Sequence, residues 1–258
     1  MGADPAATSG FESGAAVNPG RRRDAVELAV GFALILLVIW TPRPWQRVLY
    51  CATALFLIGV MWISFEGARA MGLRTANLLR SLWVVGVALL LAGGSLLLAE
   101  RLHTLHASDV GGGLAGLLKR YWGYGLWAFA QQILLQGFFL RRMVRLLPSE
   151  GAAVLGAAAI FALAHLPNPI LTLITFVWGL LACAAFLRYR NLYPLGLTHA
   201  VLGVTLAVSV PGPMIGNMRV GLGYLSYVQR HRSSQRSQAP HIVSTHAWVR
   251  AEAPTRRS

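Results

Sequence analysis

The chain has 258 residues, of which 55% are hydrophobic and 12% charged. A soluble globular domain carries about a quarter charged residues, so water is excluded as the main solvent of this surface. The formal charge of +14 raises nucleic acid as a partner, but the arginines cluster at the ends of apolar runs, as in Arg21–Arg22–Arg23, Arg141–Arg142–Arg145 and Arg188–Arg190, which is where phospholipid headgroups lie and not how a nucleic-acid surface is built.

Residues 1–24 form a polar leader whose first 20 are rich in Gly, Ala, Ser and Pro. It is expected to be disordered. It does not read as a signal peptide, because a long polar stretch precedes the arginines. From 25 to 210 seven apolar stretches follow, at 25–42, 47–65, 81–99, 121–140, 151–166, 170–187 and 192–210. Most reach the roughly 17–20 residues that cross about 30 Å of hydrocarbon. The fifth is short and ends at Pro167-Asn168-Pro169, so it is expected to be tilted or incomplete. Each must be helical, since a bare peptide group in lipid costs several kcal/mol. Trp40, Trp45, Tyr121, Trp122, Tyr189 and Tyr193 fall at the expected interfaces. Residues 211–258 form a basic tail, expected to be largely disordered. The fold class is therefore all-α, a polytopic transmembrane bundle of about seven helices, with membrane lipids as its solvent.

Placing the amino terminus inside puts Arg69, Arg74, Arg80, Arg141, Arg142, Arg145, Arg188 and Arg190 on the inner side, against Arg43, Arg47, Arg101, Lys119 and Arg120 outside. Seven spans then leave the arginine-rich tail outside. Either one stretch is re-entrant, or residues 211–228 return into the membrane.

Function must be sought in polar groups that lipid does not tolerate. The fourth stretch holds Gln131, Gln132 and Gln136, and positions 132 and 136 share a helix face. Taken alone, they read as interhelical glue contributing about 0.6–2 kcal/mol per bond. His165 ends the fifth stretch and His199 lies in the seventh. Three polar foci on three helices describe one buried pocket. Cys51 and Cys183 lie in apolar runs and make neither a disulfide framework nor a thiolate metal site. His103, His106 and Asp109 have metal-ligand spacing but sit in a Gly-rich loop without a fourth ligand. No metal or cofactor is expected. A transporter or channel subunit is disfavoured, because the spans lack charged residues and inverted repeats.

The order of motifs, a glutamine pair followed by Phe161-Ala162-Leu163-Ala164-His165 and then His199, resembles the CPBP/ABI family of intramembrane proteases, which includes the type II CAAX prenyl endopeptidases. The resemblance covers about 80–205. Its first motif is Glu-Glu-x-x-x-Arg, usually followed by Gly, where this chain has Gln131, Gln132, Gln136 and Gly137. Phe161 and His165 match the second motif. The third, His-x-x-x-Asn or Asp, is here His199 and Gly203. The resemblance implies a helical membrane bundle in which position 131 and His165 activate a water, while His199 stabilises the oxyanion. Glutamine has no basic form at neutral pH, and loss of a general base removes about 10²–10⁴ in rate. No substitute carboxylate is evident. Glu66, Glu100, Asp109 and Glu150 lie in loops or at helix ends, and Asp4, Glu12, Asp24, Glu27 and Glu252 lie near the termini.

Two functions remain open on the residues. One is an intramembrane endopeptidase acting on a membrane-anchored peptide or protein, with Gln131, Gln132, Gln136, His165 and His199 as site residues. The other is a non-catalytic relative that binds a peptide tail or lipid in the same pocket, as a partner, chaperone or immunity protein. Many arginines beside almost no lysine point to a GC-rich bacterial genome, hence the cytoplasmic membrane.

Overall fold

The computed structural model describes residues 19–69, 71–75, 77–106 and 112–238. Asp109, His241 and His246, with Asp4, Glu12 and Glu252, lie outside the described residues. The helices are α1 (Pro19–Trp40), α2 (Trp45–Ile63), α3 (Leu78–Arg101), α4 (Gly113–Gln132), α5 (Arg141–Leu146), α6 (Glu150–Leu163), α7 (Pro169–Tyr189), α8 (Tyr193–Ser209) and α9 (Gly221–Gln238). A π-helical segment, Ile133–Leu140, joins α4 to α5. The seven apolar stretches become α1, α2, α3, α4 with its π segment, α6, α7 and α8. Among the described residues, α2, α3 and α7 are long and apolar enough to cross a membrane by length and composition, and α6 and α8 are shorter apolar helices. The protein is a multi-pass membrane protein.

Local chemistry sets the boundaries. Ser149 caps α6 by accepting from the Ala152 backbone N–H at 3.2 Å. Asn168 caps α7 by accepting from the Leu171 N–H at 3.1 Å, with Pro169 following at the first turn. Asn168 is fully buried, and its Nδ2 donates to the Ile215 and Arg219 carbonyls at 2.7 and 3.2 Å. The Pro-Asn-Pro corner therefore holds the segment after α8 in place. Within the tail, that segment and α9 are folded, and Gly221, at φ +53, lets the backbone press against Ile39.

Packing follows membrane rules, in which small residues bring backbones together. α6 lies along α7, α3 and α4 lie along α8, and α1 lies along α2. Ala153, Ala157 and Ala158 of α6 are fully buried, as are Ala182 and Cys183 of α7. A side chain added at Gly179 would begin 3.1 Å from the Ala158 Cα. Trp62, Leu79 and Leu90 are 79–82% exposed, as lipid-facing positions should be.

The contacts sort the loops into two ends. At one end Arg21 reaches the Leu146 carbonyl, Arg145 pairs with Asp24, Arg141 pairs with Glu66, and Arg74 donates to the Arg190 carbonyl. At the other, Thr104 donates to the Ser209 carbonyl and the Gly221 N–H to the Leu166 carbonyl. The sequence places Arg142 among headgroup-facing arginines, but its side chain is only 2% exposed and bonds Glu27 Oε2 at 2.6 Å. A charge leaves water in this way only when it is paired.

Asp24 lies just ahead of the first apolar stretch. Its hydrogen bonds to Arg145, both 2.6 Å, hold its carboxyl below the usual carboxylate range. A depressed folded pKa stabilises the protein above the unfolded value of about 3.9, and that contribution fades as pH falls through the folded pKa. Thermal unfolding followed from pH 7 down to pH 3 is therefore expected to cost the native protein more than Asp24→Asn. Identical pH profiles would show that the pair contributes nothing.

Candidate active site

The candidate residues converge from three elements. Gln132 ends α4, Gln136 sits one turn later in the π segment, and both are fully buried. π-helical turns are rare and occur often at functional sites. A 3.6-residue period gives no sign of this one. His199 comes from α8 and is 7% exposed. Gln136 Nε2 donates to Gln132 Oε1 at 3.2 Å, and Gln132 Nε2 lies 3.1 Å from His199 Nδ1.

These bonds dictate a tautomer. An amide N–H only donates, so His199 Nδ1 accepts, and the proton of the neutral ring sits on Nε2. His199 therefore offers its outer nitrogen as a donor. Gln136 Oε1 is buried without a hydrogen-bond partner, and the Cys183 thiol is the polar neighbour of that amide. Thr198 Oγ1 and Trp178 Nε1 are also buried without partners.

His165 follows the end of α6 and has the opposite tautomer. Its Nδ1 lies 2.7 Å from the Phe161 carbonyl oxygen. A carbonyl only accepts, so Nδ1 carries the proton and Nε2 is left with the lone pair. Sequence reasoning finds nothing to orient His165; the backbone of its own helix does so. The Phe161 ring contacts both histidines edge-on, with centroids 5.0 Å from His165 and 5.9 Å from His199. Trp178 lies 6.0 Å from His199.

Gln131 is half-buried and stands outside this chain of bonds. No hydrogen bond joins it to His165 among the described residues. Among the described residues, Asp24, Glu27 and Glu66 are committed elsewhere, to Arg145, Arg142 and Arg141. His106 bonds the Val208 carbonyl through both its backbone N–H, at 3.0 Å, and Nδ1, at 3.1 Å. Among the described residues no group of three His, Cys, Asp or Glu is placed to hold a metal.

Gln132→Glu is expected to invert His199. A carboxylate only accepts, so Nδ1 must take the proton and Nε2 becomes an acceptor. In ¹⁵N spectra of histidine-labelled protein, the native His199 should show a protonated Nε2, and the variant a protonated Nδ1. A native ring already protonated at Nδ1 would mean that the amide chain runs the other way.

Residues 117–205 match the family model described as type II CAAX prenyl endopeptidase Rce1-like. No curated protein and no solved structure matches the chain. The matched stretch runs from within α4 into α8 and contains Gln131, Gln132, Gln136, His165 and His199. Over that stretch the chain is similar to the type II CAAX prenyl endopeptidase family.

Proposed function

We propose that the protein is an intramembrane endopeptidase acting on a membrane-anchored peptide or protein. The observation that carries this reading is the pair of histidine contacts, His165 Nδ1 on the Phe161 carbonyl and His199 Nδ1 on the Gln132 amide, which suit one ring to accept a proton and the other to donate a hydrogen bond. His165 Nε2 takes a proton from water as the water oxygen attacks the scissile carbonyl carbon. His199 Nε2–H donates to the carbonyl oxygen as it becomes negative. The tetrahedral intermediate then breaks its C–N bond, and His165 returns the proton to the leaving amine. Gln131, whose amide makes no hydrogen bond to a described residue, orients the water. Gln136 and Gln132 hold His199 in its donor form. A lone histidine base, without a carboxylate behind it, predicts slow turnover.

The family's description makes a prenylated carboxy-terminal peptide the first substrate to try. The arginine-rich end supports a cytoplasmic-membrane location with the amino terminus inside. The non-catalytic reading draws its support from the neutral amides at the core of the site and from carboxylates committed to arginines. His165→Ala separates the two. It should abolish cleavage of any peptide the purified native protein cuts, and unchanged cleavage would remove the assignment.

A further inference from the structure

The antiparallel seam between α4 and α8 sets Phe129 against Gly196, Gln132 against His199 and Tyr124 against Gly203. The last contact is the closest. A Cβ built on Gly203 would lie 1.8 Å from the Tyr124 hydroxyl oxygen and 2.5 Å from the ring carbon that bears it. No side chain at 203 is compatible with Tyr124 where it stands. The phenol therefore occupies the volume that a side chain at 203 would fill, one helical turn beyond His199 on the same face. Its hydroxyl makes no hydrogen bond among the described residues. The half-buried phenol is a donor that no described group uses.

We propose that the Tyr124 hydroxyl is the second donor to the substrate carbonyl oxygen, beside His199 Nε2–H. The inference rests on the peptidase reading. Two donors converging on one developing oxyanion is the arrangement that stabilises a tetrahedral intermediate, and removal of one such donor typically lowers kcat about 10²–10³-fold. The hydroxyl donates without losing its proton, so no charge is needed at the site before reaction. Gly203 has a defined part here, since it clears the space in which the phenol sits.

The test uses full-length protein in lipid discs, a peptide that the native protein cuts, and His165→Ala alongside. Tyr124→Phe removes one oxygen atom and leaves the ring that fills the notch. It should lower kcat by about 10²-fold while KM stays within about twofold. A native kcat in Tyr124→Phe would overturn the proposal, and so would a rise in KM alone. If Tyr124→Phe fails to accumulate, two double variants decide the matter. Tyr124→Ala/Gly203→Asn returns an amide donor to the vacated space and should exceed Tyr124→Ala/Gly203→Ala at least tenfold. Equal rates would overturn the proposal. Cleavage that survives His165→Ala would instead strike the peptidase reading itself, whatever Tyr124→Phe does.

Discussion

Arg142→Met is expected to destabilise the bundle by about 3–5 kcal/mol, the usual cost of breaking a buried ion pair on one side. The guanidinium is 2% exposed. It donates to Glu27 Oε2 through Nε at 3.1 Å and Nη2 at 2.6 Å, and to the Phe138 carbonyl through Nη1 at 3.1 Å. It also stacks 4.0 Å above the Phe138 ring. Removing it leaves Glu27, whose side chain is 13% exposed, with Arg23 alone, and leaves the Phe138 carbonyl without this donor. Because Phe138 lies in the π segment that also carries Gln136, the same change should loosen the site. Arg142→Met/Glu27→Leu strands no charge and should recover most of the loss. Unfolding in mixed detergent micelles would measure both. A single variant within about 1 kcal/mol of native would mean that water reaches the pair.

His165→Ala should lower cleavage by about 10²–10⁴-fold. Among the described residues the site holds no second base, because the nearby amides cannot accept a proton and His199 Nδ1 is occupied by Gln132. Stability should change little, since among the described residues the ring bonds only the carbonyl of its own helix. That combination, a large rate loss in a protein that folds as native, distinguishes a chemical role from a packing role.

The bundle was legible because lipid leaves few choices. Seven apolar stretches must be helices, and each has a helix in the structure. Gln132 and Gln136 could be paired from their spacing alone, and the motif order placed His165 and His199 with them. What stayed hidden depends on how helices cross. Nothing in the run from Gln131 to Gly137 announces a π turn. The Glu27–Arg142 pair joins the first helix to the turn after the fourth, so Arg142 read as one more headgroup arginine. Tyr124 drew no notice in the sequence, because its fit against Gly203 exists only once α4 packs on α8. Sequence reasoning could have noticed that Tyr124, Ala128 and Gln132 are spaced by four and so lie along one side of the helix.

In the proposed mechanism His165 is the base of a working peptidase. The most direct measurement compares new protein termini in membrane fractions of cells carrying the native protein with those of cells carrying equal amounts of folded His165→Ala. A set of membrane-protein termini should be present with the native protein and missing with the variant. Identical sets of termini would contradict it and favour a protein that holds its partner without cutting it.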